Sequence, residues 1–329
     1  MNTSFTALLS LQVPIMQAPV GAAAGPELAA SVSNAGALGS LPIWFLPLKN
    51  VPSMVTATMQ LTCRPFSVNV RADLNQQPHV NAAVQSGASL VHLFWGDPTP
   101  YTAAIHDAGA KVIVTVASVD EAKQALDADA DILIAQGWEA GGHVRGNVTT
   151  MALVPNVVDI AGSVPVLAAG GIVDGRGLAA ALMLGASGAA MGTRFVASEE
   201  SRAHTEYKAA LLAARQSEAV YLADLFGIGW ENAPHRALRN STVRAWEAAG
   251  CPASGSRPNE KEIVAIRGDG KPIERYSVVL PMAGASGNME ALAQYAGQGV
   301  EGIKEILPAS RIVETTVYEA SACLSKFRS

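Results

Sequence analysis

Aromatic residues are scarce in this sequence, at 5% of 329 positions, and charged residues make up only 16%. There is no excess of positive charge. The formal net charge is -5, which argues against nucleic acid as the main partner. Only three cysteines occur, Cys63, Cys251 and Cys323. They are far apart and show no metal-ligand spacing, so reduced thiols in a cytoplasmic protein are expected. The six histidines show no metal-ligand pairing either, so no metal site is expected. Met1 to Leu11 has no basic region and no long apolar segment. Neither a signal peptide nor a membrane span is therefore expected.

What is abundant is glycine, with 30 residues, together with alanine and other apolar residues, at 49% hydrophobic in all. That composition suits close packing of helices on a parallel sheet. The length allows one large domain or two ordinary ones. A recurring unit decides between fold classes. A helix closes on a small pair such as Gly-Ala, and an apolar strand follows at once. The closing residues Gly87, Gly109, Asp129, Gly162 and Gly185 stand 22, 20, 33 and 23 residues apart. About twenty residues is what one strand and one crossover helix need. With Val13–Pro19, Ala37–Leu41 and Phe66–Val70, eight strands are counted by about Phe195. Eight strands alternating with helices predict an α/β fold, a (β/α)8 TIM barrel. An open doubly wound sheet is the competitor, but its G-x-G-x-x-G fingerprint does not follow the first strand.

After Phe195 the texture changes. Ser198–Ser217 and Arg239–Ala249 read as helices, while Leu225–Trp230 and Ala233–Arg236 read as loop. The expected organisation is a barrel over 1–200 and 292–329, with an inserted, mostly helical subdomain over 201–291. Ala291–Tyr295 is expected to start a last helical segment, and Thr315–Phe327 to form the C-terminal helix.

Three stretches could carry chemistry. Strand six is followed by Ala135–His143, in which Gly141 and Gly142 stand beside a histidine. Glycine lets backbone N–H groups approach a ligand, and His143 titrates near neutrality. A tight turn with a solvated histidine is the bland reading of the same residues. Strand seven ends at Gly170 and Gly171, and strand eight at Ala190, Met191, Gly192 and Thr193. Barrels often bind phosphate at these two strand ends with loop amides. Asn69 and Gln136 end strands three and six on the same face, where amides can bond the edge of a heterocycle. Either could equally tie down a loop.

Taken together, Pro14–Pro19, Asn34–Gly39, Asn69, Ala135–His143, Ala169–Ile172, Met191–Phe195 and Tyr295–Gly299 resemble the nitronate monooxygenase family. The matches run in the family's order from about residue 13 to 300. The resemblance implies an FMN-containing barrel that oxidises alkyl nitronates with O2 to a carbonyl compound and nitrite. It also implies that Asn69, Gln136, Gly141, Gly142, Gly170, Gly171 and Ala190–Thr193 bind FMN, with Ala18 and Pro19 near its ring. His143 would be the base or substrate anchor. The partners so implied are a nitronate or nitroalkane and O2, with no nucleic acid and no membrane; a homodimer is compatible. The Val20–Pro26 and Ile43–Lys49 loops and Asn288 depart from the family pattern on the substrate side.

The Glu139–His143 stretch also occurs in related NAD(P)H-dependent quinone and enoyl-acyl carrier protein reductases, so a flavin reductase is the alternative. The Leu225–Gly227 and Tyr295–Gln298 stretches favour nitronate oxidation. A flavin binder without activity is disfavoured because His143 is retained. The other histidines, His235 and His92 among them, read as structural, and Ser286 is a weak candidate for touching substrate.

Overall fold

In the computed structural model, which describes residues 1–326, eight parallel strands form a nearly closed barrel with interleaved helices. The strands are β1 (Ile15–Gln17), β2 (Gly39–Pro42), β3 (Phe66–Arg71), β4 (Leu90–Phe94), β5 (Lys111–Val116), β6 (Ile132–Gln136), β7 (Val166–Ala169) and β8 (Gly188–Met191). Each pairs in parallel with its sequence neighbour from β2 round to β8, and β8 pairs with β1. The seam between β1 and β2 is closed by a bridge from Met16 to Leu38, with Gln17 N–H on the Leu38 carbonyl at 2.8 Å.

Side chains alternate across a strand, so every second residue points into the barrel. Met16, Leu90, Ile113, Ile132, Ile134 and Leu167 make the interior core. The N-terminal helix Ser4–Leu9 adds Phe5 and Leu9 to that core. The alternate set, such as Val91, Val112, Val114, Leu133 and Val166, packs outward with the helices. Local signals start several helices as the sequence implies. Pro26 occupies the first turn of Pro26–Asn34, and Ser118 caps Val119–Asp127 by accepting from Glu121 N–H at 3.1 Å.

The 201–291 segment is not mostly helical. It holds two short helices, Thr205–Ala213 and Ser241–Ala248, and parts of two small antiparallel sheets. One sheet joins Ala219–Leu222 to His235–Leu238 and then to Gly142–His143. The other joins Ile263–Ile266 to Pro272–Glu274 and Ser286–Gly287. Strands of two to four residues give no readable period of two, so they pass for loop in a sequence. Residues 289–291 form one 3-10 turn and the next four residues continue without helix. The C-terminal helix starts earlier than expected, at Ala309, and runs to Ser325; Phe327 lies outside the described residues. No helix among the described residues is long and apolar enough to cross a membrane.

Candidate active site

A cavity of about 700 Å3 opens at the C-terminal ends of the barrel strands. Its floor is set by strand parity. Asn69, His92, Thr115, Gln136, Ala169 and Ala190 are the inward residues at the ends of β3 to β8, and all six line it. The 201–291 segment supplies the opposite wall, with Trp230, Arg267, Val278 and Leu280 among its residues.

Of the residues the sequence nominated, Ala18, Pro19, Asn69, Gln136, Gly141, Gly142, His143, Gly170, Gly171, Ala190, Gly192 and Thr193 line this one cavity. Met191 does not. It follows Ala190 on the strand, so its side chain points outward into the core between barrel and helices. Its carbonyl accepts from Ala18 N–H at 2.9 Å and fixes the end of β1. Ser286 is exposed in its sheet and is absent from the lining, and Asn288 caps the 3-10 turn by accepting from Ala291 N–H at 3.2 Å. Arg194 donates to the Glu305 carbonyl at 3.0 Å, a tie between loops rather than a reacting group.

The glycines do different work. Gly171 has φ +72°, a left-handed conformation, and Gly192 has space around the position a Cβ would take. Among the described residues, the N–H groups of Gly171, Gly192 and Thr193 reach no protein acceptor. Thr193 Oγ1 accepts from Gly297 N–H at 3.0 Å and keeps its own hydroxyl hydrogen to donate. This is a cradle for an anion. Gly141, by contrast, is small for the sake of the chain: a Cβ there would strike the backbone of Ala296 and Gly297. Gln298 N–H closes that contact on the Glu139 carbonyl at 2.9 Å. Glu139 itself accepts from Thr150 N–H and hydroxyl at 2.8 and 3.0 Å, so it holds a helix start.

His143 is held by the short strand Gly142–His143, which pairs with His235 and Arg236 across the sheet. Its ring stacks on Trp230, with centroids 3.8 Å apart and 24° between planes. Nε2 is buried and has no partner. Burial holds the imidazole well below the usual histidine range, and His235 and Arg71 push the same way. His143 is therefore neutral at pH 7 and able to accept a proton. His235 cannot share that role. Nδ1 lies 2.9 Å from the Ala233 carbonyl and must donate to it, while Nε2 accepts from Phe226 N–H at 3.3 Å. Protonation would break the second bond, and burial also lowers its value. His92, at 2.7 Å from Thr115 Oγ1, is pushed by burial down to about 3. Both stay neutral.

The sequence reading put the Ile43–Lys49 loop on the substrate side and Tyr295 in a family stretch, but it missed Phe94, Trp230 and one cation. Trp44, Phe45, Phe94, Trp230 and Tyr295 line the cavity, and the Arg71 guanidinium lies 3.4 Å from the Trp230 ring centroid. Arg71 is paired with Asp73 at 2.6 Å. Inward parity was available as a signal for His92 and Thr115. No sequence signal marked Trp230, which arrives from a segment more than 80 residues beyond His143.

The sequence profile of nitronate monooxygenases matches residues 2–319. The chain belongs to that family. A nitronate monooxygenase from Pseudomonas aeruginosa is 31% identical, with 97% of this chain and 99% of that one covered. A (3aS,4S,5R,7aS)-5-hydroxy-7a-methyl-1-oxo-octahydro-1H-indene-4-carboxyl-CoA dehydrogenase from Rhodococcus jostii is 37% identical over 76% of this chain and 69% of its own length. Among solved structures, FabK from Thermotoga maritima superposes with a TM-score of 0.81 at 30% identity, covering 100% of this chain and 99% of that one. The nitroalkane oxidase of Streptomyces ansochromogenes superposes with 0.77 at 27% identity, covering 98% and 99%.

The nitronate monooxygenase family and these structural neighbours are flavin-dependent, and the chain is a flavin oxidoreductase with FMN as cofactor. The residues present fit that group. The cradle of free amides suits a phosphate. Gln136 Oε1 is buried without a partner while its Nε2 donates to the His143 carbonyl at 3.1 Å, so an acceptor stands ready for a heterocycle N–H.

Proposed function

We propose that this protein oxidises a nitronate with O2 to a carbonyl compound and nitrite, and that it draws on neutral nitroalkanes through His143. The observation that carries this reading is the neutral, unpartnered imidazole at the wall of the cavity. A nitroalkane must lose a proton from the carbon that bears the nitro group, and a neutral imidazole is a group that accepts one. A nitronate is already an anion, and there His143 serves to position it. Asn69, Gln136, Gly141, Gly142, Gly170, Gly171, Gly192 and Thr193 hold the FMN, with Ala18, Pro19 and Ala190 against it. Met191 supports the site from the core. FMN supplies the redox chemistry between substrate and O2. The 201–291 segment acts as a substrate-side unit on the barrel formed by 1–200 and 292–329.

The 37% identity to a CoA-thioester dehydrogenase and the TM-score of 0.81 to FabK favour a second reading, a flavin reductase or dehydrogenase of a thioester or quinone. Product analysis separates the two. Holoenzyme with propyl-2-nitronate in air is expected to release acetone and nitrite and consume O2 without NADH or NADPH. Absence of nitrite, with rapid consumption of NADH or NADPH in the presence of a quinone or enoyl thioester, would establish the reductase instead.

A further inference from the structure

Aromatic residues are only 5% of this chain, yet three of its five tryptophans, Trp44, Trp95 and Trp230, meet at one place. Trp44 and Phe45 come from the loop after β2, Phe94 from the end of β4, and Trp230 from the 201–291 segment. Their rings meet edge to face. Trp44 and Phe45 are 5.3 Å apart at 87°, Trp44 and Trp230 5.7 Å at 63°, and Phe94 and Trp230 6.4 Å at 80°. All four line the cavity.

The two faces of Trp230 are both taken. His143 lies 3.8 Å from its centroid and the Arg71 guanidinium 3.4 Å, distances too short for the two to share one face. Trp230 therefore meets the cavity with its edge, beside the rings of Trp44, Phe94 and Trp95 that already lie against that edge. A ring edge is electropositive, and a cation on the face strengthens that polarity. The group that best meets such an edge is the negative face of another ring. Phe45, 39% exposed, and Phe94 complete the wall with apolar surface. An alkyl chain gains only burial there and loses rotamer freedom, whereas a flat ring is rigid and gains the quadrupole contact as well.

We propose that the wall of Trp44, Phe45, Phe94 and Trp230 binds a flat aromatic substituent of the substrate, so that the nitro compound oxidised at His143 carries an aryl group. This rests on the nitronate reading for the reaction but not for the binding. The Ile43–Lys49 loop, which supplies Trp44 and Phe45, is also where the sequence departs from the family pattern.

The test uses FMN-loaded protein and two unreactive probes, nitrobenzene and 2-methyl-2-nitropropane. Neither has a hydrogen on the nitro-bearing carbon, so neither can form a nitronate. Calorimetric titration is expected to show nitrobenzene binding about tenfold more tightly, and Trp44→Leu or Phe45→Leu to narrow that ratio. Equal affinity for the two probes would overturn the proposal. A second arm compares kcat/KM for phenylmethanenitronate and cyclohexylmethanenitronate, similar in size but not in flatness. The phenyl compound is expected to be preferred about tenfold, and a cyclohexyl preference would also overturn it. Tighter nitrobenzene binding with neither nitronate turned over would keep the ring site and remove the nitronate reading.

Discussion

At the scale of residues, His143 has to be neutral to take a proton, and enclosure by Trp230, Tyr295 and His235 keeps it so. His143→Asn is expected to lower kcat on a neutral nitroalkane about 100-fold or more, with a much smaller loss on a preformed nitronate. Equal losses on both would refute the base assignment. The active form is the unprotonated one and its proton affinity is depressed. Turnover of a nitroalkane is therefore expected to stay level as pH falls from 8 to 6.5 and to drop only at lower pH. A half-maximal point near 6.5 or above would contradict the enclosed site. Gly171 has φ +72° and its N–H faces the cradle, so Gly171→Val is both strained and obstructive. The variant is expected to purify colourless, which the absorbance spectrum reads directly; a fully yellow protein would refute the cradle. His143 and the paired glycines were legible because strand ends and glycine doublets are local. Counting alternate residues from Ala190 places the Met191 side chain outward, so that any contact it makes with FMN is through its backbone. His235 was read as structural, and its buried ties to Ala233 and Phe226 agree; Trp230 was not legible, because its role depends on contacts across the cavity.

Elements matter next, since the cradle is shaped by a segment that never enters the barrel. Tyr295–Gly299 packs on Glu139–Gly142 and on Gly171 through glycine-to-backbone contacts. A Cβ at Gly299 would strike the Gly171 carbonyl oxygen and lie 2.9 Å from its carbon. Gly299→Ala is thus expected to shift Gly171 and weaken FMN binding about tenfold, the equivalent of about 1.4 kcal/mol of overpacking. An unchanged Kd for FMN in fluorescence titration would show that the loop does not shape the cradle. Most barrel strands were readable because a helix that closes on a small residue precedes them, and β1 and β3 because they are apolar runs. The five short strands over 201–291 were not, since pairing with distant partners rather than their own pattern makes them strands.

For the whole molecule, the same enclosure has a consequence in acid. His92, His143 and His235 are all held neutral when folded, while the unfolded chain takes up protons near pH 6.5. Stability is therefore full above that pH and is lost as pH falls below it, toward the lowered folded values. His92, pushed to about 3, alone accounts for about 1 kcal/mol between pH 6.5 and 5.5, and His143 and His235 act in the same direction. Urea unfolding at the two values checks this, and a flat result would mean that all three rings are open to water. The barrel followed from repeat spacing together with three apolar runs, and the face that carries the site from the glycine loops and amides at strand ends. The substrate side did not, because it is assembled from the β2 loop, the β4 end and the 201–291 segment. The central claim is that electrons enter this flavin from a nitro compound and not from a pyridine nucleotide. The measurement that tests it is the anaerobic visible spectrum of the holoenzyme, taken after NADH or NADPH and then after propyl-2-nitronate. The account predicts a flavin that stays oxidised with either nucleotide and changes only with the nitronate. A flavin that either nucleotide bleaches at once, and that the nitronate leaves untouched, would contradict it.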